Sequence, residues 1–193
     1  MISAQEYKNA AARAVAMLSR AGIAVTLQEK QRLEVTDFGL GDLMRTGLQI
    51  VVYLNTDRCC AKEIVLFPRQ TCPEHWHPAV DRLPGKEETF RSRWGRAYPY
   101  VPGEPARHAA CRAPAGSEAH YLARREIVLD PGDQYTVPPE TPQGFQAGDE
   151  AAVVSEFSTH SADERDVFRD PRIVRRPGVE QISLDEAGIE LIR

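Results

Sequence analysis

From residue 47 to residue 157 the chain is a series of short apolar, β-branched runs cut by Pro, Gly, Asp and Asn, and this rhythm constrains the fold more than any other feature. The runs fall at residues 49–54, 63–67, 88–100, 121–129, 134–137 and 152–157. Strands of this length, separated by turn-forming residues, specify an antiparallel sandwich or barrel. No internal repeat is visible.

The flanks have a different texture. Ser3-Ala-Gln-Glu6 has the form of a capping box, and apolar or small residues recur at Ala10, Ala14, Met17 and Leu18 before Gly22. This predicts an amphipathic helix over residues 4–20. Residues 26–46 are polar and glycine-punctuated and read as an arm or loop. Residues 103–118, rich in Pro, Gly, Ala and Arg, read as an exposed connection between two halves of the barrel. After Ser161 the chain carries Asp163, Glu164, Arg165 and Asp166, then Asp170-Pro171-Arg172 and Arg175-Arg176-Pro177. That segment is expected to form a short helix and an arm packing on the barrel. The organisation is one domain: an N-terminal helix and arm over 1–46, a barrel over 47–160 and an extension over 161–193.

Composition narrows the partners. At 193 residues, 42% hydrophobic and 27% charged, the chain is long enough to bury a substantial core. A net charge of −4 offers no basic surface for nucleic acid. No apolar run approaches the roughly 20 residues needed to cross a bilayer. The N-terminus has no basic stretch followed by an apolar one, so no signal peptide is expected. Cys59, Cys60, Cys72 and Cys111 match no zinc spacing. They are expected to be reduced thiols in a cytoplasm, with Cys59 and Cys60 as small buried hydrophobes.

The chemistry is concentrated in a few side chains. His75 and His77 stand two apart in Cys-Pro-Glu-His-Trp-His-Pro, and on an extended strand both point to one face while Trp76 points away. With Glu88 they make a two-imidazole, one-carboxylate set suited to Mn, Fe, Co, Ni or Zn, with open positions for a substrate. Alone, such a pair is more often an incidental surface feature. Lys86 shares strand parity with Glu88 and so faces inward with it, either to steady negative charge on a substrate or to cover the barrel rim. Glu156 interrupts an apolar strand, a position that needs a wet cavity or an ion partner. It is the first candidate for proton transfer. Glu74 is either an acceptor that orients an imidazole or a solvated acid. His108, His120 and His160 lie in or beside loops and read as ordinary surface histidines.

Two stretches match the cupin signature, a small jelly-roll barrel with a metal inside. His75, His77, Glu88 and Gly95 fit the first motif with an insertion before the Glu; Gly132 and Pro138 fit the second, where Gln143 occupies the position of an expected fourth-ligand His. The wider wording resembles the bacterial D-lyxose isomerases: Asp37-Phe-Gly-Leu-Gly-Asp-Leu, Asn55-Thr-Asp-Arg-Cys-Cys-Ala-Lys, Thr71-Cys-Pro-Glu-His and Val154-Ser-Glu-Phe-Ser. The resemblance implies an all-β cupin-type barrel and a divalent-metal aldose–ketose isomerase. Its substrates would be D-lyxose and D-xylulose, with D-mannose and D-fructose as a further pair. Where such proteins resemble Pro-Pro-Asn-Thr-Leu-His, this chain has Pro138-Pro-Glu-Thr-Pro-Gln143. A neutral amide oxygen is a poorer ligand than imidazole for late transition metals, which moves the expected preference toward Mn, with Co, Fe, Ni and Zn as alternatives. The rival readings are a weakened or non-catalytic sugar-binding cupin and an Fe(II) cupin dioxygenase. A homodimer is expected, because barrel edges and strand-rich faces need covering.

Overall fold

The computed structural model describes residues 2–80 and 84–176. α1 (Ala4–Arg20) begins at the capping box, where the Glu6 N–H donates to Ser3 Oγ at 3.2 Å and the Ser3 N–H donates to the Glu6 carboxylate at 3.0 Å. α2 (Leu27–Gln31) is capped by Thr26 and Glu29 in the same way. The strands follow as β1 (Glu34–Thr36), β2 (Leu48–Asn55), β3 (Cys60–Leu66), β4 (Thr71–Trp76), β5 (Glu88–Val101), β6 (Arg125–Glu126), β7 (Gln134–Val137), β8 (Gln143–Ser158) and β9 (Val167–Phe168). All strand pairs among the described residues are antiparallel.

β5 and β8 are the spine of the barrel. They pair with each other from Glu88↔Ser158 to Tyr100↔Gly144, with register shifts in between where the sheet bends. The second half of β8 pairs with β3 and its first half with β4, so the bend divides the sheet into two leaves. Gly95 stands at the bend with φ 66°, and a Cβ there would lie 2.2 Å from the Ala151 carbonyl oxygen. Only glycine allows that approach. The leaves close on each other, as the 5.0 Å separation of the Phe90 and Phe145 rings shows.

Period-two alternation buries both faces of the larger leaf. Ile50, Ile64, Leu66 and Val154 point into the barrel with Phe38, Cys72 and Val137. Val51, Val65, Phe67 and Val153 point outward and are covered by Ala10, Ala14, Met17 and Leu18 of α1.

Four expectations change. Residues 26–46 are more than an arm: β1 joins β2, and Leu33, Val35 and Phe38 are buried. Phe38 joins the cluster inside the barrel and Leu33 and Val35 the cluster under α1, while Leu27 and Met44 stay exposed. The run at 121–129 forms only the two-residue β6 and a single bridge from Leu129 to Ala97. There the Leu122 and Ala123 N–H groups donate to Glu74 Oε2 at 2.6 and 2.8 Å, so a side chain takes donors that a ladder would use. β8 begins at Gln143, nine residues before the expected 152, because its bend at Gly148-Asp149-Glu150 reads as a turn. Cys59 is exposed in the Thr56–Cys59 turn, and only its neighbour Cys60 is buried. The extension beyond Ser161 supplies a 3-10 turn, Asp163–Arg165, and then β9 against β4. The arm expected past residue 176 lies outside the described residues.

Candidate active site

β4 delivers His75 to the barrel interior, directly across the ladder from Gln143 at the start of β8. His77 follows one residue past the strand end, and its ring meets that of His75 edge-on at 4.9 Å. The His75 Nδ1–H donates to the Pro73 carbonyl at 2.8 Å, which leaves Nε2 as the nitrogen available to a ligand. His77 is held from both sides, by Asp166 Oδ1 at 2.5 Å from Nδ1 and by Glu88 Oε1 at 3.0 Å from Nε2. Glu88 Oε1 also accepts from Gln143 Nε2, and its second oxygen lies 2.6 Å from Lys86 Nζ. The ligand atoms of His75, His77 and Asp166 lie within 4.8 Å of one another.

A chain of alternating charge leads away from the imidazoles. Lys86 donates to Glu156 Oε1 at 3.0 Å, and Glu156 lies 3.6 Å from Lys62 Nζ. Lys62 in turn reaches Ser161 Oγ at 2.9 Å and Asp163 at 2.8 Å, and Arg175 lies 3.1 Å from Asp163. Lys62, Lys86, Glu88 and Glu156 are all buried. Ionised groups are kept there only because each faces an opposite charge. Burial opposes the charged forms, yet Lys86 and His77 hold the Glu88 carboxyl well below its usual range. Burial likewise works against protonated His77, but Glu88 and Asp166 outweigh it and push the imidazole up to about 9. His75 is shifted down, by burial first and by the neighbouring His77 second.

The structure thus brings together His75, His77, Glu88, Gln143, Lys86 and Glu156. Glu87 is exposed between two inward neighbours, and Trp76 faces away under the Arg169 guanidinium at 5.7 Å. Glu74 fits neither expectation. It is fully buried on the opposite face of β4, where it clasps residues 122 and 123 and Arg169. His160 bonds the Thr56 carbonyl at 2.9 Å, away from the cluster. Lys62, Asp163, Asp166 and Arg175 are additions. Lys62 stands beside Glu63, one residue before the run expected at 63–67, and the others sit in a charged tail that looks like ordinary surface.

Phe38, Phe168 and Arg175 help close the site, leaving a cavity of about 30 Å³, enough for water. A cavity of about 250 Å³ adjoins it and shares His77, Lys86 and Asp166 as its wall. A further space of about 270 Å³ lies beneath residues 105–126 and contains none of these groups. Chemistry rather than size therefore marks the first as the candidate site.

Fold and donor set define a cupin-type barrel with an imidazole–carboxylate pocket inside. No protein-family model matches the chain. It is 56% identical to the D-lyxose/D-mannose isomerase of Thermosediminibacter oceani over 180 residues, 93% of this chain and 99% of that protein. It is 55% identical to the D-lyxose ketol-isomerase of Cohnella laeviribosi, covering 91% and 96% of the two chains. The chain belongs to the D-lyxose isomerase family, a family of aldose–ketose isomerases. Among solved structures it is similar in fold to a point mutant of the L-ribose isomerase of Acinetobacter sp. DL28 in complex with L-ribose, with a TM-score of 0.79 at 16% identity over 93% of this chain and 98% of that one. The ligand-free L-ribose isomerase of Cellulomonas parahominis has a TM-score of 0.72 at 18% identity, over 89% and 94% of the two chains.

Proposed function

We propose that this chain interconverts D-lyxose and D-xylulose, with D-mannose and D-fructose as a second pair, using a divalent metal, Mn first, on His75, His77 and Glu88 with Gln143 as fourth ligand. The observation that carries the reading is the contact chain from His77 through Glu88 and Lys86 to Glu156, which supports Glu156 as the proton-transfer group beside a donor set suited to a cation. The fit to a metal has independent support in Gln143 Oε1, which is buried without a hydrogen-bond partner next to two imidazoles and a carboxylate. Imidazole, carboxylate and amide oxygen are all acceptable ligands for such an ion. Asp166 meets His77 on the Nδ1 side and Glu88 meets it on the Nε2 side, so Asp166 serves as the acceptor that orients the ring and Glu88 as the ligand.

When bound, the metal supplies Lewis-acid polarisation of the sugar oxygens at C1 and C2. Glu156 takes the proton from C2 of the open-chain sugar and returns it to C1 through a cis-enediol. Lys86, shared between Glu88 and Glu156, fixes the Glu156 carboxyl in place and offers its ammonium to the developing oxyanion. Lys62 holds Glu156 from the other side, and Asp163 balances Lys62.

The acting form is proposed to be a cytoplasmic homodimer. Leu54, Ala61 and Phe157 form one cross-strand row over β2, β3 and β8, and Leu54 and Phe157 are exposed. All four cysteines are free, and among the described residues no helix is long and apolar enough to cross a membrane. The test is to add Mn(II) to metal-stripped protein and follow D-lyxose conversion to D-xylulose. Turnover restored by the metal is the expected result. Sugar binding without turnover would instead favour the weakened, non-catalytic reading, to which the glutamine at 143 gives weight.

A further inference from the structure

Gln143 is completely buried, and its two amide atoms have opposite surroundings. Nε2 donates to Glu88 Oε1 and lies 3.4 Å from His77 Nε2, whereas Oε1 has no hydrogen-bond partner. Without a cation this orientation is reasonable, because Glu88 is an acceptor and the amide nitrogen is a donor. A cation between His77 and Glu88 reverses the preference. Its charge repels the N–H end of the amide dipole and attracts the carbonyl end. A half-turn of the amide exchanges the two ends at constant volume, so the packing around Gln143 is preserved. His75, its cross-strand neighbour, keeps its ring fixed by the Pro73 carbonyl and offers Nε2 from the opposite strand.

We propose that Gln143 sets the metal selectivity of this site, coordinating the ion through Oε1 after its amide turns over. The inference rests on the metal reading above. The donors then become two imidazoles and two oxygens. Carboxylate and carbonyl oxygens suit Mn and Mg, whereas imidazole suits Zn, Fe and Ni. Zinc ordinarily binds a given site more tightly than manganese, and an amide in the fourth position narrows that advantage.

Calorimetric titration of metal-stripped wild type, Gln143→His and Gln143→Leu with Mn²⁺ and separately with Zn²⁺ tests this without reference to activity. Loss of one ligand contact is expected to weaken Mn²⁺ binding about 10-fold or more in Gln143→Leu. Gln143→His is expected to raise the Zn²⁺-to-Mn²⁺ affinity ratio by about 10-fold. Gln143→His keeps a polar side chain and so gives a reading even if Gln143→Leu fails to fold. Undiminished Mn²⁺ binding in Gln143→Leu would overturn the inference, since the amide would then serve only Glu88. An unchanged Zn²⁺-to-Mn²⁺ ratio in Gln143→His would overturn it as well. Either result would take Gln143 out of the ligand set and leave the reading of His75, His77 and Glu88 as ligands, which falls only if wild type binds no divalent ion.

Discussion

On the inner face of β3 and β8 the cross-strand pairs run Leu66↔Ala152, Ile64↔Val154 and then Lys62↔Glu156. On the outer face of the same strands they run Val65↔Val153, Glu63↔Ser155 and Ala61↔Phe157. Both faces thus begin in apolar packing and both bury a glutamate. The two acids meet different company. Glu63 accepts from the Ser155 and Tyr53 hydroxyls, and burial, its largest influence, raises its pKa. Glu156 lies between the Lys86 and Lys62 ammoniums, inside the barrel and within one side chain of Glu88. A buried carboxylate among hydroxyls is a structural hydrogen-bond acceptor. Glu156, held between two cations, is the acid we propose as the proton-transfer group.

The largest expected effect breaks the inner face outright. The His75→Ala/His77→Ala variant should lose stoichiometric metal and all isomerase activity, checked by elemental analysis alongside the assay. Metal retained at full stoichiometry would sink the ligand assignment. The two glutamates should then separate. Glu156→Gln is expected to lower kcat by about 10²–10⁴-fold, the usual worth of a general base, with metal content unchanged. Glu63→Gln should leave kcat within about twofold, and equal losses in the two variants would erase the distinction between the faces. On the helix-covered side, Leu18→Ala should cost about 2–5 kcal/mol in denaturant unfolding, because Leu18 is fully buried, while kcat at room temperature holds.

The smallest effect is a pH dependence of the metal-free protein. The His77 pKa is raised from 6.5 to about 9 in the fold. The stability this provides is fully present below about pH 6.5 and is lost as pH rises through about 9. The melting temperature of metal-free wild type should fall across that window, and His77→Ala should lose that component. Bound metal should remove the trend, since it takes the place of the proton. A flat profile for metal-free wild type would contradict the imidazolium arrangement.

Part of this was legible from residue order alone. Alternation along an extended chain pairs His75 with His77 and Lys86 with Glu88, and all four are buried although His77 and Lys86 lie just outside β4 and β5. Glu156 stands out because an ionisable group in an apolar strand must be explained. Glu74 obeys the same alternation, yet its partners at residues 122, 123 and 169 are too far along the chain to be seen. Asp166 was hidden for a related cause: a charged tail looks the same whether it is solvated or folded back over a histidine 89 positions earlier.

The sequence by itself determined the alternating strands, the capped helix and the inward-facing His75 and His77, since each is written in spacings of a few residues, and the resemblance to the D-lyxose isomerases singled out Glu88 as their partner and Gln143 as a departure. Tertiary structure alone decided that β8 bends and serves both leaves, that Lys62 and Lys86 enclose Glu156, and which end of the Gln143 amide faces Glu88. Those outcomes depend on closure of the barrel. Closure brings residues 55 and more positions apart into contact, in a low-dielectric interior where one misplaced charge would outweigh many local preferences.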